Sequence, residues 1–179
     1  MRRLQTWTAE APSDKRLDTT DARVITALLG VDGVGYQRFS VPSLDPDAPD
    51  DTLLGRVGPW VSHIADVHQL RTTDVVRLRP DSPGYPVLRP RFATEHTHDE
   101  PELRAFLDGG GVFWFRAATR VHRLDCEAGD LIALPAGIPH AFDAGPAPRF
   151  TAIRWFSSPA GWVATPTGSA LAAHFEPLP

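Results

Sequence analysis

The stretch EHTHDEPELR, residues 95–104, places two histidines in a run of carboxylates. Imidazole and carboxylate groups at this density bind divalent transition metals, or they form an acidic surface loop. His96 and His98 are two residues apart, so on a strand both rings point to the same side. Glu102 follows after three more residues and can return to the same point across a tight bend.

A second block can supply the further ligand that such a metal site needs. The stretch GDLIALPAGIPH, residues 129–140, reads as a strand, a Pro-Ala-Gly turn and then His140. Three neutral imidazoles and one carboxylate suit Fe(II), Ni(II), Co(II), Mn(II) or Zn(II). On an octahedral ion these ligands leave two adjacent positions open for water or a chelating substrate, which favours catalysis over a closed structural site.

Together the two blocks resemble the two motifs of the cupin superfamily. The first motif, HxHxxxE followed by six residues and a glycine, is matched by His96, His98, Glu102 and Gly109. The second motif, a glycine, five residues, PxG, two residues and a histidine, is matched by Gly129, Pro135, Gly137 and His140. Pro90 replaces the first motif's opening glycine and Ala144 the second motif's closing asparagine, and neither position is a ligand.

The two-residue period of strands predicts which other side chains face the metal. The aromatic residues that lie an even number of positions from a ligand in the same run, and so share its face, are Phe92, Phe106 and Phe142. Arg104 shares the parity of Glu102, and a buried guanidinium needs an anionic partner. That partner is either an anionic substrate or one of the neighbouring acids Glu95, Asp99 and Glu100. Arg154 is a second candidate, whose face the pattern leaves open. The other histidines, at 63, 68, 122 and 174, lack ligand spacing and are interpreted as surface or packing residues.

The surrounding sequence predicts a mainly β fold, a cupin (jelly-roll) β-barrel with a few peripheral α-helices, mostly in the N-terminal half. Short runs bounded by Gly, Pro or Asp begin at residue 86 and continue to RFTAIRWF, which is typical of antiparallel strands joined by tight turns. Residues 19–30 and 51–70 carry apolar side chains at helical spacing, with a break or turn expected at Pro59. Residues 72–80 read as a strand.

Composition favours one domain over residues 1–179. We expect N-terminal helices and strands packed on the barrel (1–85), a metal-binding barrel core (86–157) and a C-terminal arm with a short helix (158–179). The single cysteine, Cys126, excludes an intrachain disulfide and a cysteine-based metal cluster. A net charge of -4, no apolar run near the roughly 20 residues of a membrane span and no signal peptide predict a cytoplasmic protein without nucleic-acid or membrane partners.

The chain resembles the acireductone dioxygenase family in residues 91–116, 129–156 and 161–168, and more loosely in its N-terminal half. The resemblance implies a dioxygenase of methionine salvage that cleaves acireductone (1,2-dihydroxy-3-keto-5-methylthiopentene), a small enediol, with O2. It implies one Fe(II) or Ni(II) per chain, with Co(II) or Mn(II) as substitutes, and a monomer. In the family, the iron form yields 2-keto-4-methylthiobutyrate and formate. The nickel form yields methylthiopropionate, formate and carbon monoxide.

The resemblance also assigns roles to single residues. The family's metal ligands fall on His96, His98, Glu102 and His140. Its substrate-positioning arginines fall on Arg104 and Arg154, and its aromatic pocket on Phe92, Phe142 and Trp162. Pro101 and Leu103 stand where the family has an acidic residue and a valine, which leaves the substrate preference open. Two alternatives therefore remain: a metallocupin oxygenase or isomerase acting on a different small enediol or keto substrate, and a non-catalytic ligand-binding cupin.

Overall fold

Two antiparallel sheets form the body of the protein in a computed structural model, which describes residues 1–117, 119–158 and 163–169. A seven-stranded sheet and a five-stranded sheet face each other, and the three helices of the described residues all precede residue 94. The predicted mainly β, cupin-type architecture with helices in the N-terminal half is confirmed, as a sandwich of two sheets.

The elements have the following bounds. The helices are α1 (Ala22–Val31), α2 (Asp50–Val67) and α3 (Tyr85–Ala93). The strands are β1 (Arg3–Thr8), β2 (Ala11–Thr19), β3 (Gly35–Arg38), β4 (Thr72–Leu78), β5 (His96–Thr97), β6 (Glu102–Gly109), β7 (Gly111–Ala117), β8 (Arg120–Cys126), β9 (Asp130–Leu134), β10 (His140–Asp143), β11 (Phe150–Phe156) and β12 (Thr165–Pro166). The sheet orders are β12-β5-β10-β7-β8-β1-β2 and β3-β9-β6-β11-β4.

The main core lies between the two sheets and is rich in phenylalanine. Phe106, Phe142 and Phe150 come from three strands, and their ring centroids lie 5.6 to 6.2 Å apart. Successive strand side chains alternate between faces, so the intervening residues of the five-stranded sheet point outward against α2. Phe106 and Phe142 therefore both point into the space between the sheets.

The first two helices follow the predicted spacing, with one exception. Asp21 caps α1, where its carboxylate accepts a hydrogen bond from the Arg23 N–H at 2.8 Å. The break expected at Pro59 is wrong, because α2 continues through it. A proline inside a helix costs about 3 kcal/mol. Four buried aliphatic side chains of α2 outweigh that cost, at about 1.5–3 kcal/mol each; they are Leu53, Val57, Val61 and Ile64.

The strand predicted to begin at residue 86 is wrong in its first part, because Tyr85–Ala93 is α3. Two tertiary contacts hold this helix against the strand β10 and the turn after it. The Tyr85 hydroxyl donates to the Gly145 carbonyl at 2.9 Å, and Arg89 donates two hydrogen bonds of 2.8 Å to Asp143. Phe92 consequently lies on a helix, with 44% of its surface exposed.

Both ends of the described chain contribute strands that composition alone did not reveal. The β1–β2 hairpin extends the seven-stranded sheet by pairing with β8. At the other edge, β12 pairs with β5. The helix predicted near the C-terminus falls on residues outside the described ranges. None of the three helices within those ranges has the length and apolar character needed to cross a membrane.

Candidate metal centre

Three histidines and one glutamate come together near the starts of three strands. His96 begins β5, His98 follows its end, Glu102 begins β6 and His140 begins β10. One nitrogen from each ring lies within 4.8 Å of the others. The Glu102 Oε2 atom lies 3.3 Å from His98 Nε2 and 3.1 Å from His140 Nε2. All four side chains are buried.

Strand register and one turn bring these side chains together. His96 stands opposite His140 where β5 pairs with β10. The Pro-Ala-Gly turn follows β9, and Gly137 adopts φ of 77°, a conformation that glycine tolerates. The Gly137 N–H then donates to the His98 carbonyl at 2.8 Å. The second sequence block therefore supplies His140 and also supports the loop that carries His98.

Backbone carbonyls orient all three imidazoles in the same way. His96 Nδ1 lies 2.7 Å from the Thr94 carbonyl. His98 Nδ1 lies 3.0 Å from the Val163 carbonyl, and His140 Nδ1 lies 2.9 Å from the Ile138 carbonyl. Because a carbonyl only accepts, each Nδ1 carries the hydrogen and each Nε2 keeps a lone pair. This is the tautomer that coordinates a metal through Nε2.

The charges of the site favour a cation between these groups. An imidazole lone pair and a carboxylate oxygen repel at about 3 Å unless a proton or a metal ion lies between them. Burial raises the pKa of Glu102, but the positive charge of Arg104 outweighs it and holds that pKa well below its usual range. Burial lowers the pKa of His96. Burial also lowers the pKa of His98, but the Glu102 carboxylate outweighs burial and leaves that pKa raised. The donor set therefore fits a divalent transition metal.

Arg104 is buried beside the cluster. Its Nη2 atom lies 3.0 Å from Glu102 Oε1, so its ion-pair partner is a predicted ligand and not one of the three acids considered from the sequence. Its guanidinium carbon lies 4.2 Å from the centroid of the Phe142 ring. Arg104 thus places a positive charge next to the carboxylate and against an aromatic wall.

Arg154 stands opposite Arg104 where β11 pairs with β6, and points to the same side of that sheet. Its guanidinium donates to both oxygens of Asp74 on β4, at 2.9 and 2.6 Å. The sequence left the face of Arg154 open and did not identify Asp74. Only the pairing of β4 with β11 brings these two residues together.

The remaining predicted pocket residues differ in their surroundings. Phe106 and Phe142 lie in the core, where the Phe142 ring contacts Arg104 and Phe106 stacks on Phe142. Phe92 lies exposed on α3, because the straight strand assumed for it is a helix. Trp162 lies outside the described residues. Of the other histidines, His122 is a buried packing residue that bonds Asp32 at 2.9 Å and Thr6 at 2.9 Å.

Comparisons with known proteins agree on one family. Residues 61–164 match the model of the ARD/ARD' family. The acireductone dioxygenase of Parvibaculum lavamentivorans is 41% identical over 176 residues, which are 98% of this chain and 96% of that protein. The one from Granulibacter bethesdensis is 41% identical over 178 residues, 98% of each chain.

A solved structure shares the fold. The acireductone dioxygenase from Bacillus anthracis, with a cadmium ion in its active centre, covers 92% of this chain and 99% of its own, with a TM-score of 0.80. At 22% identity, this likeness extends to the fold alone.

Proposed function

Because the chain belongs to the ARD/ARD' family, we propose that it is a metal-dependent dioxygenase that cleaves acireductone with O2 in methionine salvage. The curated relatives carry this activity in their names and match nearly the whole chain. One observation in the site supports the proposal above all others. Three Nε2 lone pairs, each set by a backbone carbonyl, converge beside one buried carboxylate.

The proposed metal ligands are His96, His98, Glu102 and His140. We propose that they hold one Fe(II) or Ni(II) per chain, with Co(II) or Mn(II) as substitutes, because neutral imidazoles and a carboxylate suit these ions. When bound, such an ion acts as a Lewis acid and as a template for a chelating substrate. The Nδ1 hydrogen bonds keep each ring at a fixed angle, which prepares the donors before the ion arrives.

Electrostatics around the proposed ligands favour an anionic substrate. The imidazoles are neutral ligands, so only Glu102 offsets the charge of a divalent ion, and Arg104 shares that carboxylate. The centre is left with a surplus of positive charge, which a deprotonated enediol can neutralise. We assign Arg104 to bind the enediolate from the buried side, and Arg154, 28% exposed in its side chain, to bind it nearer the solvent.

The apolar part of the substrate needs a different surface. Phe142 packs against Arg104 and Phe106 stacks on Phe142, and we assign these two rings to contact the thioether tail. Phe92 and Trp162 stay predictions from the family resemblance. The monomeric state, the cytoplasmic location and the single domain over residues 1–179 also stay predictions.

Oxygen consumption tests the proposal directly. Freshly purified protein is assayed by elemental analysis and then supplied with acireductone under air. We expect about one transition-metal ion per chain and rapid oxygen uptake. Uptake by neither the iron nor the nickel form, with metal verified in both, would favour the metallocupin that acts on another enediol or keto substrate. The reason for this alternative is Pro101, which lies next to the proposed ligand Glu102 where the resemblance implies an acidic residue.

A further inference from the structure

Glu95 is a buried carboxylate directly before the proposed ligand His96, and only 5% of its surface is exposed. Arg116 donates to it twice, from Nε at 3.0 Å and from Nη2 at 2.9 Å. The Thr167 hydroxyl donates to Glu95 Oε1 at 2.6 Å. Hydrogen bonds to an ionised group are the strong ones, so this carboxylate is held from two directions.

These bonds connect three parts of the chain. Arg116 lies on β7, and β10 separates β7 from β5 in the sheet. The ion pair therefore spans β10 and ties the start of β5 to a strand two places away. Thr167 follows β12 on the opposite side, and its backbone N–H also donates to the Glu95 carbonyl at 3.1 Å. Glu95 thus holds β5 against both of its neighbours.

The strand that Glu95 holds has little pairing of its own. β5 contains two residues and pairs with β10 at the single position His96 opposite His140. On its other side it pairs with β12, in which Pro166 has no backbone N–H to donate. A slip of one residue would turn the His96 ring to the opposite face of the sheet. A tether outside the strand pairing is needed to prevent this.

The segment 163–169 contributes to the metal centre at a second point. The Val163 carbonyl orients the His98 ring through Nδ1, four residues before Thr167. The contacts of Thr167 with Glu95 therefore anchor the same segment that sets the tautomer of His98. Loss of the Glu95 carboxylate affects both histidines of the first sequence block.

We propose that Glu95 is a positioning residue of the metal centre. Through Arg116 and Thr167 it fixes the strand that carries His96 and the segment whose carbonyl orients His98, and in this way it sets the metal affinity. The inference rests on the metal ligands proposed above. A purely structural ion pair predicts a different result, namely lower stability of the metal-free protein with unchanged metal affinity.

The test compares metal affinity with the stability of the metal-free protein in three variants. Glu95→Gln keeps the shape of the side chain but removes its charge. Thr167→Val removes the hydroxyl that donates to Glu95 Oε1 and accepts from the Ser169 N–H at 3.2 Å. Asp32→Asn is the matched control, because Asp32 is also a buried carboxylate that accepts from an arginine, Arg120, at 2.8 and 2.9 Å. Each protein is stripped, its melting temperature is measured, and its dissociation constants for Ni(II) and Co(II) are obtained by competition with a chelator.

We expect Glu95→Gln to weaken metal binding by about ten- to a hundredfold, the usual effect of losing a residue that orients a ligand. Thr167→Val should weaken it less, and Asp32→Asn should lower the melting temperature with wild-type affinity. The Co(II) absorption bands should shift in the two variants near the site, because ligand geometry changes there. Wild-type affinity in Glu95→Gln overturns the inference, and if that variant does not fold, wild-type affinity in Thr167→Val overturns it. A wild-type protein that binds neither ion overturns the proposed ligands themselves.

Discussion

Replacing Arg104 by methionine isolates the charge that this residue contributes to the site. Methionine keeps most of the volume and can still contact the Phe142 ring, 4.2 Å from the guanidinium carbon in the wild-type protein. What it removes is the positive charge that lies 3.0 Å from Glu102 Oε1 and faces the proposed substrate position. A hydrogen bond to a charged group contributes about 1.5–3 kcal/mol.

That energy converts directly into a rate effect, since about 1.4 kcal/mol corresponds to a factor of ten. We therefore expect kcat/KM for acireductone to fall by about ten- to a hundredfold, with metal content unchanged. Oxygen uptake gives the rate, and elemental analysis of the same sample gives the metal content. Arg149→Met is the control, because the Arg149 side chain is 67% exposed and pairs only loosely with Asp108, at 3.7 Å.

Two results would refute this account of Arg104. Wild-type kcat/KM in a fully metallated Arg104→Met variant would reduce the residue to a structural partner of Glu102. A loss of metal with unchanged turnover per bound ion would show that Arg104 acts on the ligand and not on the substrate. The control variant should behave as wild type in both measurements.

Three further predictions follow from the site and the core. Alanine at any of the four proposed ligands should leave less than half the wild-type metal, whereas Glu100→Ala should keep it, because Glu100 accepts from the Ser157 N–H; full metal in all the histidine variants would contradict the assignment. Protein stripped and reloaded with Ni(II) should release carbon monoxide from acireductone and O2, and the Fe(II) form should not; gas from both forms or from neither contradicts the metal-dependent products. Burial lowers the pKa of His122, so the unfolded chain takes up a proton first as the pH falls below about 6.5. The free energy of unfolding of the wild-type protein should therefore decrease as the pH falls below that value, and it should decrease less in a His122→Asn variant. An equally steep decrease in that variant between pH 7 and 5 would show that His122 is not the cause.

Local sequence determined the features whose partners lie nearby in the chain. The two-residue spacing of His96 and His98 and the short step to Glu102 place three donors together on any strand followed by a bend. The Asp21 cap and the apolar spacing of α1 specify a helix by themselves. The strands from residue 102 to 156 follow from alternation bounded by turn residues.

Tertiary structure decided the features that depend on distant partners. Residues 85–93 form a helix because Tyr85 and Arg89 find acceptors on and just beyond β10, more than 50 positions away. The orientation of His98 depends on the Val163 carbonyl, 65 positions later in the chain. The pairing of Arg154 with Asp74 depends on β4 lying beside β11. Spacing along the chain contains no signal for such contacts, since closing a long loop is opposed by entropy and is stabilised only by the packing of the whole sandwich. The residue types able to bind a metal could therefore be identified from the sequence. The fold determined which groups orient them, namely the carbonyls and Glu95 for the histidines and Asp74 for Arg154.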